Sequence, residues 1–209
     1  YFTIENMDLP YVLTGVLGLY LLTCAYAAIG LFMSSITSYQ VVAAMGTLAI
    51  LAVLNFIGDV GQSISFVRDI TYWLSISGRT YPFLSGMICS EDVLYFIIVI
   101  SSFIVLSTMR LQAARKRRSQ TITLARYFIV IGGALFIGYL TSLPISKFYY
   151  DATALKKNTL TPGSQEVVKK LDGDLTITTY MNILDENYGS ALPDQLKNDF
   201  ARFEQYVRF

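Results

Sequence analysis

The stretch RLQAARKRRSQTITLAR, Arg110 to Arg126, decides how the rest of the chain is read. It carries Arg110, Arg115, Lys116, Arg117, Arg118 and Arg126, six of the sixteen basic residues, and no acidic one. Uncharged apolar runs flank it, Val93 to Met109 before and Tyr127 to Ser146 after. Lys and Arg in short loops between membrane spans are retained on the cytoplasmic side, so these six residues act as topology determinants. Lys147 to Phe209 is then expected outside the cytoplasm.

Composition agrees with a membrane protein that carries a polar appendage. Hydrophobic residues make up 54% of the chain, mean hydropathy is +0.49 and charged residues are only 15%, against about 25% in soluble domains. The net charge of +1 hides a segregation, because the segment Lys147 to Phe209 is mixed, with eight basic and nine acidic residues. No nucleic-acid surface is implied. Cys24 and Cys89 are the only cysteines and both lie in or beside apolar runs, so they are expected to be small apolar fillers rather than a disulfide framework or a thiolate metal cluster. The chain starts at Tyr1 and stops within an amphipathic pattern, and the expectation is a fragment of a longer protein with no signal peptide at its start.

From Leu9 to Gly58 there is no charged side chain, fifty residues where about 20 suffice for one span. A break is expected at the polar cluster Ser34 to Gln40, giving spans near 11–33 and 41–57. The second is rich in Ala and Gly, small residues that let helices approach closely in lipid. Between Gly58 and Asp92, Ile64, Val67, Ile70 and Leu74 recur at helical spacing, which predicts an amphipathic helix lying in the membrane interface. Tyr72, Trp73, Tyr81 and Phe83 suit that depth. The uncharged piece Thr80 to Ser90, with Pro82 and Gly86, reads either as an element that dips back into the bilayer or as an ordinary apolar loop. Spans near 93–109 and 127–146 complete four, with the basic linker 110–126 between the last two.

Beyond Lys147 the pattern is that of the start of an extracytoplasmic α/β domain, 147–209. Thr161 and Pro162 look like a helix cap and first-turn proline, Val167, Val168 and Leu171 give that helix a buried side, and Gly173 stops it. Leu175, Ile177, Met181 and Ile183 alternate with polar residues as in a half-buried strand. A second helix is expected from Pro193, with Leu196, Phe200, Phe203 and Val207 on one face. One strand cannot make a sheet, so more of this domain is expected downstream. The fold class expected overall is an α-helical transmembrane bundle of four spans, with an interfacial helix and the re-entrant candidate, followed by that domain.

Candidate chemistry is sparse. The chain has no histidine, which removes Ser-His-Asp and Cys-His catalysis and His-bearing metal sites from these residues. It also lacks a Gly-rich phosphate loop followed by Lys and Ser or Thr. Glu91 and Asp92 are adjacent carboxylates whose expected role is a charged cap at the start of a span. The six basic residues are also able to bind anionic headgroups. No ionisable residue falls within the four expected spans, so any coupling energy must come from a partner. No catalytic, cofactor or metal residues are therefore expected, and no enzyme.

The residues do carry a family resemblance. Gly30-Leu-Phe-Met-Ser-Ser-Ile-Thr-Ser-Tyr-Gln-Val-Val-Ala-Ala resembles the G-L-F-x-S-S-L-T-x-N-Q-x-x-A signature of type-2 ABC exporter permeases, with Tyr39 where Asn is usual. Phe83-Leu-Ser-Gly-Met-Ile followed by Asp92-Val-Leu-Tyr-Phe is similar to the segment that leads into the last permease span. Asp151-Ala-Thr153, Lys157, Thr159-Leu160-Thr, Ser164, Leu171 and Ile177-Thr-Thr-Tyr180 resemble the opening of the auxiliary extracytoplasmic subunit of gliding-motility-associated ABC transporters, with Ala152 and Asn158 departing from that pattern. The order of the two matches implies a junction, with 1–109 as the C-terminal half of a permease and the auxiliary subunit fused behind it.

That resemblance implies a membrane-embedded permease component of an ATP-driven exporter in a bacterial cytoplasmic (inner) membrane. The implied partners are a cytoplasmic ABC ATPase, a second permease half and the bilayer. Candidates for the transport path or its gates are Gly30, Ser34, Ser35, Thr37 and Gln40 at one end and Pro82 and Gly86 at the other, chosen because they interrupt apolar runs at membrane depth. The competing expectation is a membrane-anchored extracytoplasmic binding or assembly protein that transports nothing.

Overall fold

The computed structural model describes residues 8–61, 64–115, 120–141 and 148–170, with the isolated positions 180, 184, 189, 203 and 206. The elements run α1 (Leu9–Ile36), α2 (Gln40–Phe56), a 3-10 turn (Ile57–Asp59), α3 (Ser65–Leu74), α4 (Ile76–Leu84), β1 (Met87–Cys89), α5 (Ser90–Arg115), α6 (Gln120–Thr141), β2 (Tyr149–Asp151) and α7 (Pro162–Lys169). Four helical stretches, α1, α2 with its 3-10 turn, α5 and α6, are long and apolar enough to cross a membrane. By length and composition the chain is a multi-pass membrane protein.

Local chemistry explains where these helices start and stop. Asp8 caps α1, its Oδ1 accepting from the Tyr11 amide at 3.4 Å, and Pro10 occupies the first turn, where its missing N–H costs nothing. The helix runs through Ser34 to Ile36 and breaks only at Thr37, whose backbone is extended and whose Oγ1 accepts from the Tyr39 amide. Hydroxyls inside the apolar helices are satisfied by carbonyls one turn back, as Thr14 is by Pro10, Thr23 by Leu19, Thr47 by Ala43 and Ser107 by Phe103.

The helices extend past the apolar runs that announced them. Expected at 93–109, the third is observed from Ser90 to Arg115, and α6 begins at Gln120 rather than Tyr127. Apolar length measures what sits in hydrocarbon, whereas Gln, Arg, Ala and Leu continue a helix well beyond it. The basic linker is therefore helical through Arg115 and again from Gln120, with 116–119 outside the described residues.

α1 and α5 pack along one another, α2 packs on α1 and α6 on α5. The core between them contains Ala25, Ile29, Ile76, Phe83, Tyr95 and Phe96, all nearly or fully buried. Phe32 meets Phe103 edge-on at 5.6 Å, which ties the far halves of α1 and α5. One end of the bundle gathers the start of α1, the end of α2, α3, α4, the start of α5 and the end of α6. This is called the sheet end, because β1 and β2 pair there.

That pairing was not expected. Met87, Ile88 and Cys89 lie antiparallel to Asp151, Tyr150 and Tyr149, so the first residues after the fourth span return to the bundle. The Thr80–Ser90 piece consists of the end of α4, a turn at Ser85 and Gly86, β1 and, at Ser90, the first residue of α5. α3 forms as predicted, with Ile64 and Ile70 exposed beside Phe66 while Val67 and Leu74 are half-buried. α7 begins at Pro162 behind a Thr161 cap, but it ends at Lys169, and it contains no buried residue. On its expected apolar side Val167 is exposed and Val168 half-buried. Of the strand expected at 175–183 only Tyr180 is described, and of the helix expected from 193 only Phe203 and Tyr206, both helical; the other positions lie outside the described residues.

Candidate functional site

Two polar constructions stand at the sheet end. The first is an ion cluster. Ser75 caps α4, its Oγ accepting from the Gly78 amide at 3.4 Å, and one turn on α4 presents Arg79 to the start of α5. Arg79 Nη1 donates to Glu91 Oε1 at 2.6 Å and to Asp92 Oδ1 at 3.1 Å. Both carboxylates stand in the first turn of α5, where the helix dipole favours negative charge. The guanidinium carbon lies 5.6 Å from the centre of the Tyr95 ring, and the Tyr95 hydroxyl donates to the Leu74 carbonyl at 2.9 Å. Trp73 and Phe96 stack edge-on against Tyr95.

This cluster is buried, with Arg79 at 6% and Asp92 at 4% exposure. Burial by itself pulls the Arg79 pKa down, but the charges of Glu91 and Asp92 and their hydrogen bonds outweigh it and hold the guanidinium above its ordinary value. Arg79 Nε finds no hydrogen-bond partner among the described residues. Reading Glu91 and Asp92 as a helix cap was incomplete, since they are also the counter-charge of a cation twelve and thirteen residues upstream. The sequence did contain the signal: an uncharged segment of eleven residues with Arg immediately before it and two carboxylates immediately after.

The second construction is a knot around Asp151. Oδ1 of Asp151 accepts from the Thr153 amide at 3.0 Å and the Thr153 hydroxyl at 2.7 Å. Oδ2 accepts from the Asn158 amide at 2.9 Å and the Thr159 hydroxyl at 3.0 Å. Lys156, which has a left-handed φ of 49°, turns its ammonium onto the Asp151 carbonyl and over the Tyr150 ring. Burial pushes the Asp151 carboxyl up, but the hydrogen bonds from Thr153, Thr159 and Asn158 outweigh it and hold the group below the usual carboxylate range. Asp151, Thr153, Lys156 and Thr159 thus form one short self-bonded turn.

The knot is seated on the bundle. Asn158 Nδ2 donates to the Ser85 carbonyl at 2.8 Å, and the Ala154 amide donates to Asp8 Oδ2 at 2.7 Å. Gly86 is where the two meet. Its φ of +80° is one that L side chains rarely adopt, and a Cβ there would lie 2.5 Å from Tyr11 Cδ2 and 2.8 Å from Thr153 Cγ2. Tyr11 in turn donates its hydroxyl to the Leu84 carbonyl at 2.9 Å.

The residues chosen from the sequence fall into two separate places. Gly30 faces Thr47 across the α1–α2 contact, Ser34 is exposed, Ser35 donates to the Phe32 carbonyl, Thr37 closes α1 and Gln40 opens α2. Pro82, inside α4, and Gly86 lie at the other end of α1, roughly 35 Å away at 1.5 Å per helical residue. Arg110 and Arg126 are exposed on α5 and α6, Arg115 ends α5, and Lys116, Arg117 and Arg118 lie outside the described residues. Between α1, α2 and α4 a cleft is lined by Tyr26, Leu51, Asn55, Asp59 and Ser77. Within it Asn55 Nδ2 donates to the Tyr26 hydroxyl and to the Leu51 carbonyl. Among the described residues no group of three His, Cys, Asp or Glu side chains is placed to hold a metal ion.

Comparison with protein-family models, with curated proteins and with solved structures finds no match for this chain.

Proposed function

We propose that the chain is part of a membrane-embedded permease component of an ATP-driven ABC exporter, continuing into the start of an auxiliary extracytoplasmic α/β domain. The observation that carries this reading is the seating of residues 148–159 on 83–92. The segment resembling the auxiliary subunit is hydrogen-bonded to the segment resembling the approach to the last permease span. Two resemblances drawn from neighbouring proteins of one kind of system are thereby joined in a single packed end.

On this reading the basic end of the bundle, with Arg110, Arg115–Arg118 and Arg126, is cytoplasmic, and the sheet end faces away from the cytoplasm of a bacterial inner membrane. The spans contribute no catalytic group. Work enters from a separate cytoplasmic ATPase, and a second permease half completes the path. Gly30 to Gln40 then stands at the cytoplasmic mouth, with Pro82 and Gly86 at the opposite one. The test is a tagged pull-down of the full-length protein from native membranes in mild detergent. Stoichiometric recovery of an ABC ATPase is the expected result. Its repeated absence from an intact preparation would overturn the exporter reading in favour of a membrane-anchored binding or assembly protein.

A further inference from the structure

Besides the bonds inside its own knot, the chain after α6 makes polar contacts with other parts of the bundle. The Ser90 amide donates to the Phe148 carbonyl at 2.9 Å, the Phe148 amide to Ser90 Oγ at 2.9 Å, and the Ala152 amide to the Gly86 carbonyl at 2.8 Å. Asn158 then reaches Ser85, and Ala154 reaches Asp8, the residue that also caps α1. Three bundle elements are tied by one short segment: the start of α1, the α4–β1 turn and the start of α5. Asp151, Ala152 and Thr153 are each at most 8% exposed, so this is a packed contact rather than a grazing one. The chain itself supplies the strand that covers β1.

We propose that residues 148–159 form a docking strap that adds to β1 by strand pairing and stays paired throughout the working cycle. Whatever follows the strap then moves as one piece with the sheet ends of α1, α4 and α5. The pairing does not depend on the exporter reading; its persistence through an ATP cycle rests on it.

Cys89 offers a direct test. The backbone bonds fall at the opposed pairs 86–152 and 90–148, so 89 and 149, opposed in the same register, form a non-hydrogen-bonded pair. The Cα atoms of such pairs are about 4.5 Å apart, within the range a disulfide spans. Full-length protein carrying Tyr149→Cys and Cys24→Ser is oxidised with diamide in native membranes, with and without ATP and vanadate, and the bridge is quantified by peptide mapping. A second protein, Ile88→Cys with Tyr150→Cys, guards against a variant that misfolds. The expected result is a disulfide in most molecules of both proteins, unchanged by nucleotide. Failure of both pairs to bridge would overturn the docking. A severalfold fall in bridging on adding nucleotide would overturn its persistence and make the strap a latch that opens. If no ATPase accompanies the protein, the exporter reading fails and the persistence falls with it, while the nucleotide-free yield still decides the docking.

Discussion

Arg79 on α4 reaches Asp92 on α5, Nη1 to Oδ1 at 3.1 Å, with both side chains under 8% exposed. Glu91 accepts from the same nitrogen at 2.6 Å. A buried ion pair adds little compared with well-packed apolar groups, but removing one partner strands the other charges in a medium that solvates them poorly. The Arg79→Met protein is therefore expected to lose about 3–5 kcal/mol of stability, the range for breaking a buried pair. Arg79→Lys keeps the charge but not the stack on Tyr95, and an intermediate loss is expected. Thermal unfolding in detergent, followed by the fluorescence of Trp73, measures both. A Met variant as stable as the parent would show that the cluster holds nothing together.

Gly86 leaves no room for a side chain. Any side chain there meets the Tyr11 ring and Thr153 while being forced into a left-handed backbone. Gly86→Ala is expected to cost at least about 1 kcal/mol from the backbone alone, with the steric conflict added to it. Gly86→Val is expected to separate β1 from β2, read as loss of disulfide formation between Cys89 and Tyr149→Cys. Retention of the disulfide in the Val protein would mean that the Tyr11–Thr153 gap opens without consequence.

The acid limb of stability is assigned to Asp151. Its carboxyl is held below the ordinary value near 3.9, mainly against the upward push of burial, by donors from Thr153, Thr159 and Asn158. A depressed folded pKa contributes stability that is complete above the unfolded value and disappears as pH falls through the folded one. The parent protein is therefore expected to lose stability below about pH 4, where unfolded Asp binds its proton first. Asp151→Asn is expected to be less stable at neutral pH and to lose less as pH drops. Melting temperatures of the two proteins from pH 7 to pH 3 give the comparison, and parallel curves would rule Asp151 out as the titrating group.

The four long apolar helices and the break after α1 were legible because hydrocarbon imposes them: charge is excluded for about 20 residues at a time. The Thr161 cap and Pro162 were legible because capping is a local event. Neither half of the sheet-end site was read, although the charges that bracket Thr80 to Ser90 marked the first. β1 and β2 are three residues each and pair across sixty positions, too short for alternation to register. Arg79 lies on a helix interrupted by Pro82, a residue that argues against helix in a sequence. Asp151 was singled out only as part of a resemblance, and its four donors lie within eight residues, a turn whose closure depends on the left-handed Lys156.

Gly138 is buried against the Trp73 indole of α3, and a Cβ at Gly138 would overlap the six-membered ring. Trp73 is the only tryptophan, and it packs edge-on against Tyr95 at 5.6 Å, so α6 is joined through this ring to the ion-cluster core. A branched side chain at 138 must push the indole away or lift the end of α6, because a packed contact has no spare volume. Gly138→Val is therefore expected to shift Trp73 emission and to raise its quenching by a water-soluble quencher. Gly132→Val, at a position with open space around it, is expected to leave both unchanged. Equal effects at 132 and 138 would mean that the variants act through helix propensity, and that α6 is not fixed by the Trp73 contact.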